Sequence, residues 1–270
     1  MELKAPAKVN WHLAVGHRRQ NGYHPISSIF QTCSLHDVIN VEIGPGPFRV
    51  DVTGLGPLCE KGCSTLDKAA ILWHEATGFD RSIVINVEKH IPSQAGLGGG
   101  SSDAATLLLY LNCISTTHME SMKPMGKASL MALGAKVGCD VPFFISGCRA
   151  AYVTGLGEIV EEIEAREDLK GFIIVPQGEK MSTGAAYAAL DKRNIIPELE
   201  SRQELERIYR KPVSQWSFRN DFYLVNKVPE IETGEGEKLL LTGSGSCHVL
   251  LTEREKLTLK KGMSAIRVSF

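Results

Sequence analysis

The chain has 270 residues, 43% hydrophobic and 23% charged, with 30 Lys plus Arg against 31 Asp plus Glu and a formal net charge of -1. That length buries a real core in one large domain or two modest ones. The near-neutral balance excludes a general pull toward nucleic acid or a membrane surface, so an anionic ligand needs a local site.

Seven cysteines are scattered, and Cys59 and Cys63 have no second Cys/His pair to complete a zinc set. Reduced thiols in a cytoplasmic protein are expected. The opening MELKAPAKVN has no apolar core of a signal peptide. No apolar run approaches the ~20 residues that span a bilayer.

In chain order, AKVNWHLAV (7–15) alternates as a strand, and GHRRQNGYH (16–24) carries an Asn-Gly turn signal. SSIFQTCSL (27–35) and DVINVEI (37–43) read as two strands, and a further strand sits inside GPGPFRVDVTGLGP (44–57). STLDKAAILWHEATG (64–78) spaces its apolar residues for a helix that stops at Gly78. SIVINVEKHIP (82–92) is a strand ended by Pro92, and after a glycine-rich loop a helix is expected from about Ser102 to Asn112. KASLMALGAKVG (127–138) is another helix, and CDVPFFISG (139–147) opens as a loop or a short helix start. Beyond Arg149 come a hairpin (149–163), a buried strand GFIIVPQ (171–177) and two helices (182–191 and 196–210). Last is a strand, glycine turn and strand over 236–253. The pattern predicts an α+β fold with a soft boundary near 150.

Four glycines crowd into Gly96–Gly100 just before a helix, in GLGGGSSD. Such a loop turns successive backbone N–H groups toward one point, and the helix adds its free N–H groups and positive dipole end. That is an anion cradle; a tight structural turn with a Ser or Asp cap and a plain flexible loop are the alternatives. GxxxxGK[ST] is absent, and Ser101 stands where the dinucleotide fingerprint needs glycine. A phosphate held here is held by backbone, and a positive charge has to come from elsewhere. Locally, Asp140 reads equally as a general base or as the cap of a short helix, and Lys8 as an ordinary strand lysine. Tyr23 and Tyr187 read as packing residues.

PSQAGLGGGSSDAA (92–105), with KAPAKVNWHLAV (4–15) and LTGSGSCHVLL (241–251), resembles the three motifs of the GHMP kinases, in order. Within that family, NGYHPISSIFQ (21–31), GCDVPFF (138–144) and STGAAYAAL (182–190) resemble the branch that acts on a cytidine-diphosphate-linked sugar alcohol. The resemblance implies a two-lobed α+β fold: a ribosomal protein S5 domain 2-like ATP-binding domain at 1–150 and a substrate-binding α+β domain at 151–270. It implies ATP-dependent phosphorylation of the 2-hydroxyl of 4-diphosphocytidyl-2-C-methyl-D-erythritol in the non-mevalonate isoprenoid route.

By the same resemblance, Asp140 is the base and Lys8 its electrostatic partner. Ser64, Lys89, Pro92, Gly96, Leu97, Gly98, Gly99, Gly100, Ser101 and Ser102 line the ATP side. Asn10, Tyr23, His24 and Tyr187 take the substrate, with the two tyrosines about the cytosine and His24 at its edge. ATP and Mg²⁺ are the implied cofactors, with Ser102 and Asp103 as candidate metal contacts. Ser64 replaces the amide side chain the family often has there, and it offers adenine a single hydrogen bond. In ETGEGEKLL (232–240), Gly234 and Gly236 stand where the family has a longer helix, so a loop is expected. The implied partners are small molecules, for a monomer or weak homodimer. Another GHMP-type kinase and a non-catalytic nucleotide- or RNA-binding module are the rival readings.

Overall fold

The computed structural model describes residues 1–56, 59–118, 123–178, 181–193 and 198–270. The chain forms two compact units, and neither is one continuous stretch. The first gathers 1–7, 35–91 and 98–148; the second gathers 8–34, 92–97 and 149–270. The units are thus not the contiguous halves 1–150 and 151–270. Residues 8–34 group with the C-terminal half because Ser28–Gln31 pair antiparallel with Ala150–Val153.

In the first unit, the end of β2 (Ile26–Gly44) pairs antiparallel with β4 (Ser82–Glu88), and β3 (Arg49–Thr53) runs parallel to β4. A parallel pair needs a crossover, and α1 (Thr65–Thr77) supplies it. Leu66, Ala69, Ala70 and Trp73 form its buried stripe at helical spacing. Ser64 caps α1 in a capping box with Asp67, and Gly78 closes it in the left-handed region at φ 70. Three more helices follow: α2 (Gly99–His118), α3 (Lys127–Val137) and α4 (Val141–Ser146). α1 packs on α2, α2 on α4, and α3 on α4. Gly134 lets the last pair close, since a Cβ there would lie 2.6 Å from Ile145 Cδ1.

In the second unit, β1 (Glu2–Val15) contributes its residues from Lys8 onward. Its period-2 alternation sends Trp11 against Trp216, at a ring separation of 5.4 Å, and Phe270, at 4.7 Å. Lys8, Asn10 and His12 share the other face, all buried. β5 (Ala150–Thr154) and β6 (Ile159–Ile163) form the expected hairpin. A four-stranded antiparallel sheet is completed by β7 (Lys170–Pro176), β8 (Lys238–Leu241), β9 (His248–Leu251) and β10 (Met263–Ser269), in the order β10-β7-β9-β8. α5 (Thr183–Leu190) and α6 (Arg202–Tyr209) carry side-chain caps at Ser182 and Ser201. The architecture is α+β.

Some sequence expectations change. The two strands expected over 27–43 are one, β2, because Ser34, Leu35 and His36 contain neither Gly nor Pro to break the ladder. α2 starts at Gly99 rather than Ser102, since Gly99 and Gly100 are helical. A Cβ on Gly99 would lie 3.1 Å from Ile91 Cγ2, and one on Gly100 3.1 Å from Thr65 Oγ1, so tight packing asks for glycine at both. The helix expected at 196–210 spans only Arg202–Tyr209; Ile196 and Pro197 lie outside the described residues. Among the described residues no helix falls between Leu224 and Lys238, the stretch expected as a loop. No helix among them is long and apolar enough to cross a membrane.

Candidate active site

The glycine-rich segment contributes to both units, with Pro92, Gly96 and Leu97 in the second and Gly98–Ser102 in the first. Within the first unit, Gly98 turns left-handed at φ 71 and its carbonyl accepts from the N–H of Ser102 at 2.8 Å. α2 thus begins with Gly99, Gly100, Ser101 and Ser102, whose early N–H groups have no helical carbonyl before them to bond. An anion is favoured at such an end. Ser102 is wholly buried, and its hydroxyl has no hydrogen-bond partner. Thr65, at the start of α1, donates to the Gly100 carbonyl at 2.7 Å and brings the two helix starts together.

Ser64 stands at that same α1 start, but its hydroxyl is engaged in the helix cap, accepting from Asp67 N–H at 3.0 Å and donating to the Asp67 carboxylate.

Lys89, at the end of β4, reaches two carboxylates. Its ammonium donates to Asp37 and, at 2.8 Å, to Asp103 Oδ2. Burial pulls the Lys89 pKa down, but the charges and hydrogen bonds of Asp103 and Asp37 outweigh it, and the net direction is up. Burial pushes the Asp103 carboxyl up, to about 7, against the opposing pull of Lys89. Asp37 adds to that rise, since two carboxylates share one ammonium. Asp37 is the residue that sequence reasoning missed: its partners lie more than fifty positions away, and no local pattern marks it.

Asp140 holds the N-cap position of α4, yet its side chain makes no capping hydrogen bond. The helix start is set by Pro142 in the first turn instead. Its carboxylate therefore does not serve as the cap that local sequence allowed. Gly138, two residues earlier, lies near the α2 start, with a Cβ there 3.6 Å from Ser101 Oγ.

In the second unit Lys8 is 3% exposed. Its ammonium donates to Asn10 Oδ1 at 2.7 Å and stands 4.3 Å from the centroid of the Phe30 ring. Its backbone N–H donates to the Leu97 carbonyl at 2.9 Å. The other end of the Asn10 amide donates to Ser28 Oγ at 3.0 Å, and Asn10 N–H donates to Thr242 Oγ1 at 2.9 Å. Both ends of the Asn10 amide, expected to face a substrate, thus have protein partners, the oxygen Lys8 and the nitrogen Ser28. His12 turns to Glu200, at 2.9 Å.

The 242–246 turn sits on the glycine loop backbone to backbone. A Cβ on Gly96 would fall 2.5 Å from the Thr242 carbonyl oxygen, and one on Gly243 2.5 Å from Gly96 Cα. Both residues are left-handed, at φ 74 and 62. Glycine is required at each by conformation and by space. Between Pro92 and Gly96, Gln94 is the one non-glycine residue with positive φ among those described, at 53; such strain concentrates at functional loops.

His24 and Tyr187 come together, with ring centroids 5.3 Å apart. His24 Nδ1 donates to the Gly16 carbonyl at 2.9 Å, and Nε2 lies 3.0 Å from Asp191 Oδ1. Both ring nitrogens thus face oxygens of the protein, and Asp191 is a second residue the sequence did not single out. Tyr187 also packs edge-on against Phe222 at 4.9 Å. Tyr23 is 59% exposed, with its ring presented to solvent.

The first unit thus has a glycine-led helix start and a lysine held between two carboxylates, and the family of GHMP kinases N terminal domains matches residues 64–148. A solved structure described as 4-(cytidine 5'-diphospho)-2C-methyl-D-erythritol kinase superposes with a TM-score of 0.71 at 27% identity, covering 100% of both chains. The 4-diphosphocytidyl-2-C-methyl-D-erythritol kinase of Solidesulfovibrio magneticus is 34% identical over 97% of this chain and 92% of its own. That of Thermotoga maritima is 35% identical over 94% and 93%. The chain belongs to the 4-diphosphocytidyl-2-C-methyl-D-erythritol kinase family, and it is an enzyme of the kinase class.

Proposed function

We propose that the protein phosphorylates the 2-hydroxyl of 4-diphosphocytidyl-2-C-methyl-D-erythritol with ATP, as a step of isoprenoid precursor synthesis. Asp140 accepts the hydroxyl proton, and Lys8 supplies positive charge for that carboxylate and for the transferring phosphoryl group. The observation that carries this reading is the tie between Lys8 and the glycine loop, the N–H of Lys8 to the carbonyl of Leu97 at 2.9 Å. It joins a buried strand lysine to the segment suited to phosphate. On this reading the cation that the glycine loop lacks comes from the N-terminal strand.

On the nucleotide side, the reading uses Ser64, Lys89, Pro92 and the run from Gly96 to Ser102. The Ser102 hydroxyl, buried without a partner, fits a phosphate-bound Mg²⁺. Asp103 offers only Oδ1, because Lys89 holds Oδ2. When bound, Mg²⁺ would neutralise charge on the β- and γ-phosphates. On the substrate side, Tyr23, His24 and Tyr187 all belong to the second unit, which supports a substrate role for that unit. Asn10 acts through Lys8.

Comparing ADP release with the cytidyl substrate and with mevalonate tests this reading. Turnover on the cytidyl substrate at least a hundred times faster is expected, in keeping with discrimination by buried polar groups. Preference for mevalonate would point to another GHMP-type kinase. ATP binding without turnover on any alcohol would point to a binding module.

A further inference from the structure

Asp37, midway along β2, is wholly buried, and the phosphoryl-transfer reading gives it no part. Its Oδ1 accepts from the N–H of His90 at 2.6 Å and of Ile91 at 2.8 Å, the two residues that lead from β4 into the glycine-rich segment. Its Oδ2 accepts from the Lys89 ammonium, which continues to Asp103 in the second turn of α2. A Cβ on Gly99, the first residue of α2, would lie only 3.4 Å from that same Oδ2. One carboxylate therefore holds the residues that enter the glycine-rich segment, borders the residue that leaves it, and holds Lys89 between them.

A buried ion pair adds little net stability over well-packed apolar side chains of the same volume. What it does supply is a defined position for the ammonium. A lysine with four rotatable bonds is otherwise free to sample several placements. Asp103 alone leaves Lys89 one fixed contact; Asp37 adds a second and ties it to the backbone at 90–91.

We propose that Asp37 is a positioning residue of the nucleotide site, which fixes Lys89 and the entry to the glycine-rich segment against α2 and so sets the affinity for ATP rather than the rate of phosphoryl transfer. This rests on the kinase reading in one respect, that Lys89 and the start of α2 face the nucleotide.

Calorimetric titration with ATP of the wild type, Asp37→Asn, Lys89→Met and the double variant tests it, alongside kcat and KM for both substrates. In Asp37→Asn the amide oxygen still accepts from the two backbone N–H groups, while its NH₂ meets the ammonium donor to donor. ATP binding is expected to weaken about tenfold, as for the loss of one charged hydrogen bond. Lys89→Met should weaken it at least as much, and the double variant no further than Lys89→Met alone. In Asp37→Asn the kcat at saturating ATP and the KM for the alcohol should stay within about twofold.

The proposal is overturned if Asp37→Asn binds ATP as the wild type does, if the two losses add in full, or if kcat and both KM values suffer alike. Should Asp37→Asn not fold, Asp37→Glu keeps the charge and moves it by one methylene. Several-fold weaker ATP binding is then expected, and unchanged binding overturns the proposal equally. A wild type that binds no ATP would sink the kinase reading with it, whereas normal binding by the Asp37 variants sinks this inference alone.

Discussion

Each unit holds a lysine on more than one side, Lys8 buried and Lys89 half-buried, and the contacts that hold them differ. In the first, Lys89 lies between two carboxylates, and the pair with Asp103 measures 2.8 Å. In the second, Lys8 meets an amide oxygen at 2.7 Å and an aromatic face at 4.3 Å. Opposite charge fixes an ammonium but also compensates it. A neutral dipole fixes it without itself compensating the charge. The first arrangement suits a structural post beside a nucleotide; at Lys8 the amide adds position without adding negative charge of its own, which suits the cation that the proposed function pairs with Asp140.

The comparison breaks most readily at Asn10. Asn10→Leu removes the amide oxygen while keeping the volume, and kcat is expected to fall by roughly a hundredfold, the usual result of misplacing a reacting group by an ångström. The KM for ATP should hold within about twofold. Asn10→Asp replaces that amide contact with a carboxylate, and a loss of roughly tenfold in kcat is expected from the added negative charge beside the ammonium. A variant of either kind with wild-type kcat would show that the amide contact of Lys8 is incidental.

A smaller and different effect is expected at Gly243. Gly243→Ala puts a Cβ 2.5 Å from Gly96 Cα at a left-handed φ of 62. Strain and overpacking together should cost about 2–4 kcal/mol of stability, a fall in Tm of roughly 5–10 °C. Thermal unfolding within a degree of wild type would mean that the two glycine segments are not packed together as described.

Much of this was legible in the sequence because it is local. Ser64 and Gly78 bound α1 through chemistry contained in fifteen residues, and the hairpin 149–163 and the glycine turn before β9 announce themselves with alternation and glycine. The glycine run before α2 was equally plain. Its division of labour was not, since left-handed Gly96 and Gly98 differ from helical Gly99 and Gly100 only through neighbours at Thr242, Ile91 and Thr65. Asn10 and His24 carried the right residue types for a site, but the partners that occupy them, Ser28 and Asp191, are set by tertiary pairing. Asp37 had no signal at all: an acidic residue in an alternating strand reads as solvent-facing until β4 is laid beside it.

The central claim is that a carboxylate at position 140 takes the proton from a cytidyl-linked alcohol while ATP is consumed. Coupled ADP release with 4-diphosphocytidyl-2-C-methyl-D-erythritol, run for the wild type beside Asp140→Asn, tests it most directly. Substrate-dependent ADP release by the wild type and a kcat lower by roughly 10²–10⁴-fold in Asp140→Asn, with ATP still bound, is the expected result. Near-normal phosphorylation by Asp140→Asn would contradict the account.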